Sequence, residues 1–313
     1  MKYYITIDGG TTNTRIMLLQ DRKPLDVVRI PLGARASIES KNTLSTEIAK
    51  AIKHLLESHA LREEQISRVL ACGMITSEFG LCNLPHVTAP AGIRELHETM
   101  HETVLPKITS IPFVFIRGVK TVGDTLEATD MMRGEESELY GLLSAPSTNT
   151  LYVLPGSHSK LIETDAQGRI CRFSTMLTGE MLAALSTQTI LKDAVDLSIA
   201  EIDAQMLSDG CRYALKKGLN EALFKVRILK NLFHNSPVEV YSFFLGAILS
   251  AEIDTIVNSH TDAVVIGGKS QIKRATEILL KKMCNKRVFA VDDSIVDTSS
   301  AYGMIQIFEY EGV

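Results

Sequence analysis

Two segments of this 313-residue sequence share one outline, and this internal repeat is the feature that most constrains the fold. Tyr3–Leu19, YYITIDGGTTNTRIMLL, and Leu151–Phe173, LYVLPGSHSKLIETDAQGRICRF, each run from an apolar strand through small and hydroxyl residues into further β-rich segments. The offset is 146 residues, and it aligns Gly10 with Gly156, Thr11 with Ser157 and Asn13 with Ser159. A repeat at this period predicts two lobes that each open with strands around a polar hairpin turn. A chance likeness between two β-meanders is the competing explanation.

Strand patterns and helix patterns alternate along much of the chain, which predicts an α/β fold. Asn42–His59 keeps its apolar residues at helical spacing. Ser236–His260 combines a Ser N-cap, a Pro in the first turn and a long apolar face, which is typical of a buried helix. We expect an N-terminal lobe over residues 1–147 and a C-terminal lobe over residues 148–313, with a final helix that could pack back on the first lobe.

Composition and charge exclude several classes of protein. The chain has 33 basic and 37 acidic residues, a net charge of −4 and no long block of one sign, so neither nucleic acid nor an anionic membrane is an expected partner. No apolar run approaches the roughly 18 residues of a membrane span, and no signal-peptide pattern is evident at the N-terminus. The five cysteines include no CxxC pair, which favours a reducing compartment and predicts a cytoplasmic location.

The first polar turn, Asp8–Asn13, has two competing interpretations. A tight hairpin needs Gly or Asn where φ is positive, which accounts for the glycines and the asparagine. It does not account for a carboxylate at the end of an apolar strand, or for Thr11 and Thr12 side by side. In a phosphate-holding loop, backbone amides and hydroxyls bind the phosphate, and Asp8 holds Mg²⁺ directly or through water. The turn alone does not decide between the two.

The second polar turn lies in Val153–Lys160, VLPGSHSK. Gly156, Ser157 and Ser159 could form a second phosphate hairpin. Lys160 could then meet a transferring phosphoryl group as a point charge.

A glycine pair follows a buried strand pattern in Val264–Ser270, VVIGGKS. A Walker loop would need Gly at the position of Ala263, so that motif is rejected. The pair Gly267 and Gly268 instead offers a surface against which an adenosine could lie, although an ordinary strand-to-helix turn explains it equally well. No GxGxxG motif occurs, which weakens a dinucleotide-binding alternative.

An acidic cluster opens a predicted helix in Asp130–Leu139, DMMRGEESEL. Acidic residues commonly stabilise the positive end of a helix, and this explanation needs no function. Arg133, however, can hold a carboxylate bidentately, and Glu135 or Glu136 could accept a hydroxyl proton.

Taken in order, these motifs resemble the 2-dehydro-3-deoxygalactonokinase family of the sugar kinase, Hsp70 and actin superfamily. The resemblance is carried by DGGTTNTR, GMITSEFG, PAGIREL, MMRGEESELYG, LPGSHSK and LTGEM, and continues more weakly through KKGLNEALFKVR and IGGKS. It implies two ribonuclease H-like lobes with a nucleotide cleft between them, the actin-like ATPase or sugar kinase fold. It also implies ATP- and Mg²⁺-dependent phosphorylation of the 6-hydroxyl of 2-dehydro-3-deoxy-D-galactonate in galactonate catabolism. Gly9 departs from the family, in which we expect Trp at this place in many members.

The resemblance also implies a role for each matching residue. Asp8 would position Mg²⁺. The nucleotide would be bound by Gly10, Thr11, Thr12 and Asn13, by Gly156, Ser157, Ser159 and Lys160, and by Gly267 and Gly268. The sugar-acid pocket would be lined by Gly73, Met74 and Ser77, with Arg15 or Arg133 on the substrate carboxylate. Glu135 would be the base, because it occupies the place of the Gly-Asp pair of related kinases, with Glu136 as the alternative and Asp124 less favoured.

The sequence leaves two rival functions open. One is a kinase of the same fold for another sugar or sugar acid, and the other is a non-catalytic ATP- or sugar-binding sensor. The expected partners are therefore small molecules, a sugar acid and ATP, and a homodimer is left open.

Overall fold

The computed structural model describes residues 1–35, 42–143, 149–269 and 271–312. The chain divides into two compact units. Unit 1 contains Met1–Ser147, Thr164–Arg172 and Ser294–Val313, and unit 2 contains Thr148–Glu163 and Phe173–Asp293. The predicted boundary between residues 147 and 148 lies outside the described residues, so the predicted division into lobes stays a prediction.

The strands and helices alternate as the sequence pattern indicates. The strands are β1 (Tyr3–Gly9), β2 (Thr14–Gln20), β3 (Lys23–Ile30), β4 (Ile66–Gly73), β5 (Val87–Thr88), β6 (His101–Thr103), β7 (Phe113–Phe115), β8 (Val119–Thr121), β9 (Asp130–Met132), β10 (Thr150–Leu154), β11 (Ser159–Thr164), β12 (Ile170–Met176), β13 (Ala263–Ile266) and β14 (Arg287–Ala290). The helices are α1 (Thr43–Ser58), α2 (Ile93–Glu98), α3 (Glu135–Leu142), α4 (Thr178–Gln188), α5 (Ala204–Lys217), α6 (Leu219–Asn231), α7 (Pro237–Asn258), α8 (Gln271–Met283) and α9 (Asp293–Phe308).

The main sheet of unit 1 has the strand order β3-β2-β1-β4-β7-β6. β1 pairs antiparallel with β2 and parallel with β4, so Asp8 lies beside Arg15 on one neighbouring strand and Cys72 on the other. Ile5 and Ile7 are fully buried in a core that also includes residues of α1. Because apolar neighbours cover β1, the backbone that carries the polar residues at its carboxyl end is fixed in position.

A second, three-stranded sheet of unit 1 has the order β5-β8-β9. β8 pairs parallel with β5 and antiparallel with β9, and Val119 lies between Val87 and Met132 in the register. Val119 and Met132 are buried, which places the neighbouring positions of each strand on the opposite, more exposed face. The strand patterns of the sequence do not indicate this sheet, because its strands are only two or three residues long.

The sheet with the order β12-β11-β10-β13-β14 follows the same plan as the main sheet of unit 1. β10 pairs antiparallel with β11 and parallel with β13, as β1 does with β2 and β4. The repeated outline in the sequence therefore corresponds to a repeated arrangement of strands.

The long helix α7 is the core helix of unit 2. Ser236 caps it through its hydroxyl, which accepts the Glu239 N–H at 3.3 Å, and the Glu239 carboxylate accepts the Ser236 N–H at 2.8 Å. The helix is long and apolar enough to cross a membrane, yet 78% of its most apolar window is buried inside the protein. The prediction of a buried helix within Ser236–His260 is thus confirmed.

Candidate active site

The turn between β1 and β2 is stabilised by its own backbone and by a neighbouring segment. The Gly10 N–H donates to the Asn13 carbonyl at 2.8 Å. The carbonyls of Gly10 and Thr11 accept the N–H groups of Ala34 at 3.0 Å and Arg35 at 3.1 Å. Thr12 and Asn13 are exposed, and Thr11 is half-buried. The hairpin is therefore present, but Gly9, Gly10 and Asn13 are not among the residues with positive φ, so the expectation that a positive φ accounts for them is wrong. Phosphate binding by Gly10, Thr11, Thr12 and Asn13 stays a prediction.

Asp8 lies at the end of β1 and forms an ion pair with Arg15, whose Nη2 is 2.9 Å from Asp8 Oδ2. Arg15 Nη1 also donates to the Asp297 carbonyl at 3.0 Å. Binding of a substrate carboxylate by Arg15 stays a prediction, and it would have to compete with these partners.

A single carboxylate such as Asp8 suits Mg²⁺, which is commonly held by one or two carboxylates while waters and phosphate oxygens complete its shell. Within the described ranges, no group of three or more His, Cys, Asp or Glu side chains could hold a metal ion. Asp8 therefore fits a Mg²⁺ ion that arrives with a nucleotide better than one held by protein ligands alone.

Gly134 brings the acidic start of α3 against Asp8 and the end of β4. Its φ is +105°, a backbone conformation that favours glycine. A Cβ at this position would lie 3.2 Å from Gly73 Cα and 4.0 Å from Asp8 Oδ1. The predicted metal ligand, the predicted sugar pocket and the two candidate bases therefore meet within unit 1.

The two candidate bases have different surroundings. Glu136 is 0% exposed, and both of its carboxylate oxygens accept the Gly134 N–H at 2.9 Å. Burial, followed by the charge of Glu135, raises the pKa of Glu136 to about 8. Glu135 is only half-buried, and one of its oxygens accepts the Arg133 N–H at 3.1 Å. Of this pair, only Glu135 keeps accessible surface, and its role as the base stays a prediction. Glu136 is buried at the helix start and would have to be uncovered to act as the alternative base.

Arg133 holds the segment that follows β4. Its Nη1 donates to the carbonyl and the hydroxyl of Thr76, both at 2.9 Å, and its Nη2 donates to the Leu84 carbonyl at 2.7 Å. Nη2 also faces His86 Nδ1 at 3.5 Å. Burial, and then the charges of Arg133 and Lys120, lower the pKa of His86 to about 4. Sequence reasoning missed His86, because no motif marks an isolated histidine.

The segment predicted to line the sugar pocket forms a turn that is held by its own hydrogen bonds. Gly73 precedes a 3₁₀ helix over Met74–Thr76, and the Thr76 hydroxyl donates to the Gly73 carbonyl at 2.9 Å. The Ser77 hydroxyl donates to the Met74 carbonyl at 2.7 Å. Substrate binding by Gly73, Met74 and Ser77 stays a prediction.

The turn between β10 and β11 exposes only part of the predicted phosphate hairpin. Ser157 is exposed at the tip, and its carbonyl accepts the N–H groups of Gly179 at 3.1 Å and Glu180 at 3.2 Å. Ser159 and Lys160 belong to β11 and are buried. Gly156 and Ser157 are thus accessible for a phosphate. Ser159 and Lys160 would have to be uncovered before they could make the predicted phosphate contacts.

A buried carboxyl group lies behind this turn. Glu252, in the middle of α7, accepts the Thr178 hydroxyl at 2.8 Å, and burial raises its pKa. The Thr178 contact ties the start of α4 to the core helix. Sequence reasoning missed Glu252, although a lone acidic residue within the apolar run FFLGAILSAEI was a usable signal.

The glycine pair after β13 packs against the start of the same turn. The Gly267 N–H donates to the Val153 carbonyl at 2.8 Å. A Cβ on Gly268 would lie 2.7 Å from the Pro155 carbonyl oxygen. Both glycines are buried, and adenosine binding there stays a prediction; Ser270 of the same motif lies outside the described residues.

Comparisons with known proteins agree with this architecture. A model of the 2-keto-3-deoxy-galactonokinase family matches residues 8–301. The 2-dehydro-3-deoxygalactonokinase of Escherichia coli K12 is 30% identical over 274 residues, which cover 84% of this chain and 85% of that protein.

Two solved structures are similar in fold. A candidate 2-dehydro-3-deoxygalactonokinase from Sinorhizobium meliloti matches with a TM-score of 0.79 and 22% identity over 99% of both chains. The activator of 2-hydroxyisocaproyl-CoA dehydratase from Clostridium difficile, solved with bound ADPNP, matches with a TM-score of 0.52 and 14% identity over 98% of this chain and 95% of that one. The predicted fold class, an α/β fold of the actin-like ATPase and sugar kinase type, is confirmed.

Proposed function

The chain belongs to the 2-keto-3-deoxy-galactonokinase family, and we propose that it transfers the γ-phosphoryl group of ATP to the 6-hydroxyl of 2-dehydro-3-deoxy-D-galactonate. Family membership makes it a phosphotransferase that acts on a sugar acid and uses a nucleotide. The finer parts of the proposal are ATP as the donor, Mg²⁺ as the metal, the 6-hydroxyl as the acceptor and a place in galactonate catabolism. A cytoplasmic location is also part of it, supported by five cysteines that are all free thiols.

The observation that carries the proposal is the meeting of Asp8, Gly73 and the start of α3 at Gly134. Glu135, the residue after Gly134, keeps accessible surface. In a kinase the base accepts a proton from the attacking hydroxyl, so it lies close to the metal and the phosphate groups.

In the proposed reaction, Glu135 accepts the proton of the 6-hydroxyl while the hydroxyl oxygen forms a bond to the γ-phosphorus. The bond between that phosphorus and the oxygen bridging to the β-phosphate breaks, and ADP leaves with the electron pair. Asp8 would hold Mg²⁺, which supplies neutralisation of phosphate charge when bound. The amides and hydroxyls of the β1–β2 turn would bind phosphate oxygens, as would Gly156 and Ser157 in unit 2.

The deciding experiment is measurement of ADP release with 2-dehydro-3-deoxy-D-galactonate as the acceptor. We expect turnover with this acid above that with epimeric 2-keto-3-deoxy acids and neutral sugars. A product phosphorylated at the 6-position, identified by NMR, would support the stated regiochemistry. Faster turnover of another acceptor in the panel would replace the proposed substrate with that acceptor.

The same assay separates an enzyme from a sensor. A non-catalytic sensor would bind ATP or the sugar acid in calorimetry without releasing ADP. The accessible carboxylate of Glu135 favours the enzyme, because a sensor has no need of a base.

A further inference from the structure

A row of three residues crosses the end of the β5-β8-β9 sheet. The register pairs Val119 with Val87 and Met132, and extending it by one residue places Gly118, just before β8, between His86 and Arg133. Gly118 has no side chain, so the two flanking side chains approach each other across it. A Cβ there would lie 2.6 Å from Arg133 Cγ and 2.9 Å from His86 Cδ2.

Lys120 lies on the same face of this sheet, two residues along β8 from Gly118. The other face carries the buried Val119 and Met132. The face with His86, Lys120 and Arg133 is thus the more exposed one, and it ends where the Arg133 N–H contacts the Glu135 carboxylate.

The hydrogen bonds of Arg133 determine which groups remain available to a ligand. Both of its terminal nitrogens donate hydrogen bonds to protein acceptors. Arg133 is therefore suited to position its neighbours and not to bind a carboxylate bidentately. Because an arginine can only donate, His86 Nδ1 must be the acceptor in their contact. A neutral His86 therefore carries its proton on Nε2, where it can donate to a ligand.

Lys120 adds a cation to this face. Its side chain is half-buried, and over the ranges that the structure describes its ammonium has no hydrogen-bond or ion-pair partner. Its charge reaches His86, since it contributes to the lowered pKa of that ring. A positively charged face of this kind, next to a candidate base, attracts an anionic group.

We propose that Lys120 and the Nε2–H of His86, held in place by Arg133 across Gly118, bind the carboxylate of the sugar-acid substrate. This inference rests on the proposed function, and it replaces the sequence-based choice between Arg15 and Arg133 with two residues that no motif marked. The 6-hydroxyl and the carboxylate are at opposite ends of the substrate. A carboxylate held by Lys120 and His86 pairs the anionic end of the substrate with a cation and a donor, and it leaves Glu135 for the hydroxyl end.

The test compares two probes, 2-dehydro-3-deoxy-D-galactonate and its neutral primary amide, in equilibrium binding by calorimetry. Lys120→Met should raise the Kd for the acid about tenfold to a hundredfold, the usual effect of losing a charged hydrogen bond. It should change the Kd for the amide by less than about threefold. His86→Phe should act in the same direction, and Lys120→Arg should restore much of the preference for the acid.

Lys107→Met is the matched control, because Lys107 is an exposed lysine of unit 1 away from this sheet. It should leave both Kd values unchanged. Circular dichroism establishes that each variant is folded, and Lys120→Gln replaces Lys120→Met if the latter fails to fold.

Two results would overturn the inference: equal effects of Lys120→Met on the acid and the amide, or no binding of the acid to the wild-type protein. The kinase assay reads the proposed function separately. If the acid binds with the expected dependence on Lys120 but no ADP is released, the carboxylate site stands and the catalytic proposal fails.

Discussion

Both carboxylate oxygens of Glu136 accept the backbone N–H of Gly134, at 2.9 Å each. This bond caps α3 from within the protein and leaves the preceding residue, Glu135, on a rigid first turn of the helix. Two adjacent glutamates thereby have different surroundings: Glu136 is buried against the helix start, and Glu135 keeps accessible surface.

Glu135→Gln should lower kcat at least about a hundredfold, because a general base typically contributes about 10²–10⁴-fold. ATP binding, measured by calorimetry, should remain within a few fold of the wild type. Glu138→Gln, in the same first turn, is the comparison and should have a much smaller effect on kcat. Near-normal turnover of Glu135→Gln would contradict the assignment of the base.

Glu136 should make the stability of the protein depend on pH. Its pKa is raised from an ordinary value of 4.5 to about 8 in the folded protein, so between these values the folded chain holds a proton that the unfolded chain releases. The free energy of unfolding should therefore fall as pH rises from 4.5 to 8, by an amount on the order of a few kcal/mol.

Glu136→Gln removes this titration while retaining an oxygen for the Gly134 N–H. Urea unfolding at pH 5 and pH 8 should show a smaller fall in stability for this variant than for the wild type. If the free energy of unfolding falls by the same amount between pH 5 and pH 8 in the variant and the wild type, Glu136 is ionised in the folded protein.

Asp8→Ala should raise the Mg²⁺ concentration needed for half-maximal activity by about tenfold or more, since it removes a candidate oxygen ligand. It also breaks the ion pair with Arg15. Arg15→Met breaks the same pair but keeps the carboxylate, so it should shift the Mg²⁺ dependence less. Equal shifts in the two variants would show that the ion pair, and not metal binding, is the role of Asp8.

Gly9→Ala should lower the free energy of unfolding by about 1–3 kcal/mol, because overpacking a filled site forces its neighbours to move. A Cβ at Gly9 would lie 2.8 Å from Ile75 Cβ. Gly156→Ala is the control, since its nearest neighbour would be 3.8 Å away, and it should change stability by less than about 0.5 kcal/mol. Ile75 therefore occupies the space that a Trp would need at position 9 of this chain. Equal losses of unfolding free energy in Gly9→Ala and Gly156→Ala would contradict this explanation.

Much of the fold could be predicted from local patterns. The two hairpins, the long buried helix and the alternation of strands and helices depend on side-chain periodicity and turn residues, which neighbouring positions of the sequence display. The three short strands β5, β8 and β9 could not be predicted in this way, because two or three residues are too few to show a period.

The candidate site likewise has features that are local in the sequence and features that depend on tertiary contacts. The sequence by itself determined the carboxylate at the end of β1, the hydroxyl-rich turns and the acidic start of α3, because these chemical groups are adjacent in the chain. Only the tertiary structure decided that Glu136 is buried while Glu135 is accessible, that Ser159 and Lys160 face inward, and that His86 meets Arg133 across Gly118. Burial and cross-strand register depend on residues far apart in sequence, so no local pattern contains them.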